Sequence, residues 1–396
     1  MSKVLVLDAT YEDCARAVDE VFETFPLDVK GKRVVVKVNA LKAGDPETTA
    51  YVTDYRLLRA VLDRLERLQP AQVIVGDSVG TESYGNSEHV FDVTRLKEAA
   101  GRHYRNINTD LVLVPLERPF KRTGAVSRAI LEADVYISVP KMKSHGLTMM
   151  SGSVKNNYGL LVGAQKAWYH YYSVKPEIFA EIVVEMYRLR PPDLVIMDAV
   201  VAMEGYGPSS PEMRRVNKIL ASDDGVALDT VQAQIIGFSV EEIPYLRLAR
   251  ELELGETDLA AIDIVGDAET IQEWHRPEPP ELTYSYRAGI GSGSTSIDFY
   301  RSRVSLRPTI AAEQCVEGCS ACTDACPTGA LTRDGDGFSV DVFGCNLCSA
   351  CKEVCEAGAL TLTPHEGLMS ILPGESRCPN GSLRARSVQC GVRKPA

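Results

Sequence analysis

Eight of the chain's eleven cysteines fall between residues 315 and 355, in two runs. The first is Cys315, Cys319, Cys322 and Cys326, followed by Pro327; the second is Cys345, Cys348, Cys351 and Cys355. This is the ligand arrangement of two cubane iron–sulfur clusters, which move single electrons or polarise a bound ligand. Structural zinc also uses cysteine pairs two residues apart. Zinc sites, however, lack a run of three cysteines at two-residue intervals closed by a fourth three residues later, which is the pattern of the second run. The sequence therefore predicts two [4Fe–4S] clusters.

Each run is followed by the same phrase, Cys326-Pro-Thr-Gly-Ala-Leu331 and Cys355-Glu-Ala-Gly-Ala-Leu360. This duplicated half-module, over residues 306–363, resembles the bacterial two-cluster ferredoxin domain. The resemblance implies that the fourth cysteine of each run ligates the other run's cluster. Cys315, Cys319, Cys322 and Cys355 would hold the first, and Cys326, Cys345, Cys348 and Cys351 the second. A tight turn can wrap three thiolates around one face of a cube, and the fourth corner then needs a remote ligand. Two departures from the family pattern are visible: three residues separate Cys315 from Cys319 where two are usual, and Glu356 stands where proline is usual.

A second concentration of polar groups reads Pro140-Lys-Met-Lys-Ser-His145, then Ser151-Gly-Ser-Val-Lys155-Asn-Asn-Tyr-Gly159. Lysines not interleaved with acids, beside glycines that admit close backbone approach, suit capture of a carboxylate or phosphate. Lys141, Lys143, Lys155, Asn156 and Asn157 are the candidate binding residues, placed in a basic loop. His145 is the candidate general acid, with a pKa depressed by its lysine neighbours. Other polar groups end strand-like runs: Lys37, Asn39, Lys42, Asp77 and Asp198. Asp223 reads as an N-cap. Trp168-Tyr-His-Tyr-Tyr172 is an aromatic cluster that either packs or borders a pocket. Gly76-Asp-Ser-Val-Gly80 is not a phosphate-binding Walker loop, and no dinucleotide fingerprint is present.

The elements that must position these groups alternate. Strand patterns at Val4–Asp8, Arg33–Val38, Val73–Gly76, Leu111–Val114, Val135–Val139, Leu194–Asp198 and Val216–Leu220 are separated by amphipathic segments such as Asp13–Phe25, Asp54–Leu68, Glu88–Ala100 and Pro176–Leu189. Thr53 stands at the N-cap position of the second of these. Such alternation predicts an α/β fold, a mainly parallel sheet flanked by helices, with ligands outside the carboxyl ends of the strands. The expected division is 1–270 for this domain, 271–305 for a connector with a hairpin near 282–287, 306–363 for a small α+β ferredoxin-like domain, and 364–396 for a basic tail carrying Cys378 and Cys390.

Val-Pro-Lys-Met-Lys-Ser-His, Val-Lys-Asn-Asn-Tyr-Gly, Met-Asp with Glu-Gly-Tyr-Gly-Pro, and Ala-Ser-Asp-Asp-Gly-Val-Ala-Leu-Asp resemble the landmarks of domain-of-unknown-function family 362. Many members of that family carry a two-cluster ferredoxin module. The sheet domain is distantly similar to that of lactate-racemase-type enzymes. The family implies an iron–sulfur protein and supplies no substrate. A net charge of −11 argues against nucleic acid as a partner. No apolar run is long enough for a membrane span, and no targeting core precedes the first strand. Cysteines clustered at ligand spacing indicate a reducing, cytoplasmic setting. The expected function is an iron–sulfur oxidoreductase exchanging electrons with a small anionic substrate. Alternatives are an electron carrier docking a redox partner protein, or sulfur transfer by Cys378 or Cys390.

Overall fold

The computed structural model describes residues 1–173, 175–277, 296–335 and 337–372. Its centre is a nine-stranded mixed sheet. The strands are β1 (Ser2–Asp8), β2 (Arg33–Lys37), β3 (Gln72–Gly76), β6 (Val135–Ser138), β7 (Lys141–His145), β8 (Met149–Ser151), β9 (Leu194–Met203), β10 (Met213–Ser222) and β11 (Ile262–Gly266). They lie in the order β11-β1-β10-β9-β6-β2-β3, with β7 on β9 and β8 on β7. The pairs β2–β3, β2–β6, β6–β9, β7–β9 and β1–β11 are parallel; β10 is antiparallel to both neighbours. The expected mainly parallel sheet flanked by helices is therefore present. The run from Leu111 pairs elsewhere, β4 (Leu111–Leu116) forming a separate hairpin with β5 (Arg122–Ser127).

Period-two alternation divides the sheet between two cores. Val4, Val6, Val35, Val195 and Met197 face one, with the helices Pro176–Leu189 and Gly225–Ile235. Leu5, Leu7, Val34, Val36, Leu194 and Ile196 face the other, with Cys14–Thr24 and Tyr55–Arg67. In the last helix Leu57, Leu58, Val61, Leu62 and Leu65 are fully buried, each contributing about 1.5–3 kcal/mol relative to exposure. Its N-cap is Asp54, one residue beyond the expected Thr53: the Asp54 carboxylate accepts the Arg56 amide at 2.9 Å. Thr53 instead donates its hydroxyl to the Val139 carbonyl and accepts the Asn39 amide, tying the helix start to two strand ends. The expected helix 88–100 is two, Ser87–Val93 and Leu96–Ala100, broken where Arg95 turns left-handed at φ 59°.

The largest correction concerns Lys141–His145, which form a strand and not a basic loop. β9 is ten residues long. Its first residues pair with β6, and Asp198 and Met203 pair with Lys141 and Lys143 of β7. Pro140 interrupts the ladder, yet its carbonyl accepts the Asp198 amide at 2.9 Å. Polar composition hid the strand; buried acceptors for its lysines make it.

Residues 306–364 repeat themselves in structure as in sequence. Short helices Ala321–Asp324 and Ala350–Glu353 each precede a strand, β13 (Leu331–Asp334) or β15 (Leu360–Pro364). β13 pairs with β14 (Gly337–Val340), and β15 with β12 (Leu306–Ile310). Gly329 and Gly358, at matching places in the duplicated phrase, both have positive φ. The extra residue before Cys319 is accommodated where Gly318 adopts φ +74°. The expected connector contains a helix, Ser296–Val304, while the proposed hairpin at 282–287, Cys378 and Cys390 lie outside the described residues.

This module is docked on the sheet domain. The Glu353 carboxylate accepts the Ser87 hydroxyl at 2.7 Å and the Asn106 amide at 3.0 Å. The aromatic helix Gln165–Tyr172 packs along the seam, Tyr171 meeting Val304, Leu306 and Leu347, and His170 stacking on Tyr300. At Gly163, with φ +67°, a Cβ would lie 2.2 Å from the Cys348 carbonyl oxygen. Gly163→Val should therefore separate the two parts, losing about 1–2 kcal/mol from the left-handed backbone alone and more from the clash. Thermal unfolding and limited proteolysis within the helix Ser296–Val304 would register it; unchanged melting and protection there would contradict the contact.

Candidate functional site

At the carboxyl ends of β2, β3 and β6 lies a cavity lined by Lys37, Lys141, Lys143, Lys155 and Lys166, together with Asn39, Asp77, Ser78, Asn156 and Pro208. Its position obeys the rule for parallel sheets. Lys141 and Lys143, two residues apart on one strand, emerge on the same face. Lys37 ends β2 and Asp77 follows β3; both are buried and their charged atoms are 2.7 Å apart. Asp77 also accepts the amides of Ala40 and Ser78 at 2.7 and 2.8 Å. Lys141 meets the buried Asp198 at 2.9 Å and the Tyr11 hydroxyl at 2.9 Å. Burial first, then the Asp198 charge, pushes the Tyr11 phenol far above its ordinary range, so it remains a neutral donor.

Among the described residues the other three lysines meet no carboxylate. Lys143 donates to Asn39 Oδ1 at 2.7 Å and the Tyr51 carbonyl at 3.0 Å. Lys166 donates to Ser78 Oγ at 2.7 Å and the Ser78 carbonyl at 2.8 Å. Lys155 lies beside the rings of Tyr158 and Phe179, 5.8 and 5.9 Å from their centroids. Burial pushes Lys155 down to about 7, with Lys37 adding repulsion, and holds Lys166 at about 7. Lys143 is pushed well below its ordinary value by burial and by the charge of Lys155.

The sequence-derived candidates separate here. Lys141, Lys143, Lys155 and Asn156 line the cavity. Asn157 is buried outside that lining, where it accepts the Tyr136 hydroxyl and donates to the Arg190 carbonyl. His145 also lies outside it: its Nδ1 accepts the amides of Leu147 and Thr148 at 3.1 and 3.3 Å. Burial and then Lys155 hold its pKa well below the usual histidine value. Lys166 escaped sequence reading, although a lysine with no acid nearby, opening an aromatic helix, was the available signal. Asp224, not Asp223, caps the helix Gly225–Ile235 through the Val226 and Ala227 amides. Asp229 accepts the Ser153 and Val154 amides, anchoring the segment that carries Lys155.

The turn after β9 folds back over this cavity. The Gly146 amide donates to the Gly207 carbonyl at 3.1 Å. Gly207 sits so close to Ser144 that a Cβ would be 2.1 Å from its carbonyl oxygen. That approach brings Pro208 into the lining.

A second cavity lies within the cysteine-rich module. Cys326 from the first run and Cys345, Cys348 and Cys351 from the second line it, with Leu306, Leu331, Leu347, Leu362 and Ala164 among its apolar wall. Burial raises the Cys322 thiol above its ordinary value, with Cys355 and Cys315 close enough to add to the effect. Leu347 and Ser349 hold left-handed conformations at φ 70° and 62°, a cost tolerated where surroundings fix the backbone. Burial pushes the Cys348 thiol up to about 12, so its thiolate needs a cationic partner. Among the described residues no three His, Cys, Asp or Glu side chains converge as ligands of a single ion. Four sulfur donors spread around one largely apolar cavity fit a polynuclear core in donor type and number. Two steps connect the cavities: the Gly163 amide donates to Ser78 Oγ at 3.3 Å, and Gly163 abuts Cys348.

Asp77→Ala should destabilise the fold by ~3–5 kcal/mol, because Lys37 is left buried without its partner; Asp77→Leu with Lys37→Met should regain most of that in denaturant titrations. Lys155 carries the opposite signature. Its cation is disfavoured in the fold, so the cost is fully present below pH 7 and disappears as pH rises toward its ordinary value. Lys155→Met should therefore raise the melting temperature by a few degrees at about pH 6.5, and the gain should shrink by about pH 9.5. A gain that grows with pH would contradict this.

A family described as "Domain of unknown function (DUF362)" matches residues 34–234. The thylakoid-associated protein sll1697 of Synechocystis sp. is 38% identical over 133 residues, which are 33% of this chain and 41% of that protein. The match thus spans less than half of that relative's length. Among solved structures, a protein of Thermotoga maritima aligns over 55% of this chain and 57% of its own, with TM-score 0.37 and 12% identity. The lactate racemase apoprotein of Thermoanaerobacterium thermosaccharolyticum aligns over 57% and 55%, with TM-score 0.38 and 13% identity. Among the described residues no helix is long and apolar enough to cross a membrane. The lysine cavity lies within the matched span of just over half the sequence, and the chain belongs to the DUF362 family.

Proposed function

We propose that the chain is an iron–sulfur redox protein that exchanges single electrons with a small anion held in the lysine cavity. Cys315, Cys319, Cys322 and Cys355 would hold one [4Fe–4S] cluster, and Cys326, Cys345, Cys348 and Cys351 the other. When bound, the clusters supply one-electron exchange. The observation that carries this reading is the cavity lined by four cysteines from both runs, docked through Gly163 onto the residues of a buried cationic pocket.

The chain's own residues supply the rest. Lys143, Lys155 and Lys166 attract the anion in a site with little competing water. Asn156, fixed by its 2.9 Å bond to Ser138 and by Lys37, presents an amide edge to the cavity. Lys155, opening onto the cavity with a pKa near 7, is better placed to give and take a proton than His145. His145 stays neutral and already caps a turn. The Ser78–Gly163 contact keeps the two cavities in fixed register. A non-catalytic carrier is the second reading, favoured by Phe343 and Val316, exposed at 78% and 60% beside the cysteine runs; these suit a docking redox partner. We place the protein in a reducing compartment because its thiols must stay available.

Anaerobic purification should give a brown protein with about eight iron and eight labile sulfide per chain. Cys348→Ser should lose about half of both. Lys143→Ala and Lys155→Ala should keep the iron and lose anion binding at least about ten-fold. Colourless protein holding zinc would overturn the redox reading, and undiminished binding by both lysine variants would overturn the site.

A further inference from the structure

The lysine cavity contains more positive charge than its own carboxylates can neutralise. Of its five lysines, Lys37 is matched by Asp77 and Lys141 by Asp198. Among the described residues Lys143 and Lys166 donate only to neutral oxygens. Lys155, among the described residues, donates to no carboxylate or carbonyl, and its ammonium lies against ring faces. Full protonation would leave three uncompensated charges, five lysines less two aspartates, in a largely buried space. A single negative charge cannot balance that.

The titratable groups near Lys155 come from several elements, and Asp229 of the helix Gly225–Ile235, pushed up to about 7 by burial, holds the Ser153 and Val154 amides of the segment carrying Lys155. Lys37 approaches from β2, Lys143 and His145 from β7, and Lys166 and His170 from the helix Gln165–Tyr172. Asp77 faces the group from the end of β3 and is already bound to Lys37. Glu353 acts on Lys166 from the docked module. Cations thus outnumber anions around Lys155, and the bare site relieves the excess by shedding protons. An entering anion reverses both the repulsion and the need to shed them.

We infer that the cavity binds a small oxyanion carrying two or more negative charges, of the phosphate or dicarboxylate class, and takes up protons on Lys155 and Lys166 as it does so. The inference rests on reading the cavity as the anion site and is independent of what the cysteines hold.

The test is calorimetric titration of the anaerobically prepared 396-residue chain at about pH 8, in two buffers of different ionisation enthalpy. Inorganic phosphate, succinate and acetate are the probes. Phosphate or succinate should bind at least about ten-fold tighter than acetate, and whichever of the two is tighter names the class. The measured heat should differ between buffers by the uptake of about one proton or more, and with succinate, already mostly a dianion there, the difference should largely disappear at about pH 6. Lys155→Arg, charged at every accessible pH, should retain binding with reduced uptake. Lys155→Gln should lose affinity about ten-fold or more. Equal affinity for acetate, heats independent of buffer, or no binding by any probe up to millimolar concentration would overturn the inference. Iron and sulfide measured on the same samples separate this result from the redox reading. Iron-replete protein inert to all three anions defeats the inference and the anion site while leaving the cluster reading standing, and iron-free protein that binds phosphate defeats only the redox reading.

Discussion

Taking an ammonium group out of water costs several kcal/mol unless something nearby restores what water gave, and this chain does so five times at one end of one sheet. Much of the surrounding architecture answers to that demand. Asp77 and Asp198 are each buried beside one lysine and are themselves held by backbone amides or the Tyr11 hydroxyl. Asn39, Tyr51 and Ser78 turn oxygens toward two more. Gly159 approaches so closely that a Cβ would lie 2.7 Å from Lys37 Nζ. Hydrophobic burial assembles the sheet, but these polar contacts determine how its strand ends are arranged.

The same residues connect the sheet domain to the cysteine-rich module. Ser78 accepts from Lys166 and from the Gly163 amide, and Gly163 lies against the Cys348 backbone. Glu353 grips Ser87 and Asn106, and Asn108 bonds both Ser87 and the Asp77 carbonyl. The loop after β3 is therefore held from two sides, by the module and by the lysines. Displacing the module would loosen the carboxylate that steadies Lys37. The two cavities are parts of one hydrogen-bonded unit.

Hydrophobic runs made most of the sheet legible. Val34–Val36 and Leu194–Ile196 announce strands because they are buried on both faces. The duplication in the cysteine-rich module was equally plain, since its repeated phrase is local. The strand Lys141–His145 was hidden, because its partners stand far away in sequence, at Asp198, Asn39 and Tyr51. Composition cannot distinguish a solvated lysine from one awaiting a distant acceptor. Asn156 and Asn157 are adjacent and chemically identical, but one helical step rotates them to different surroundings. Lys166 was missed because its role depends on Ser78, 88 residues earlier. The end of the Tyr55–Arg67 helix was readable; its cap was displaced by one residue because Thr53 had a tertiary duty that outweighed its local one.

The turn that follows β9 supplies Pro208 as a ceiling for the lysine cavity while standing on backbone contacts to Ser144 and Gly146. Floor and ceiling thus come from separate stretches of chain, with charge concentrated below and shape above. A different residue at position 208 would alter the shape of that wall while leaving the Lys37–Asp77 and Lys141–Asp198 pairs in place.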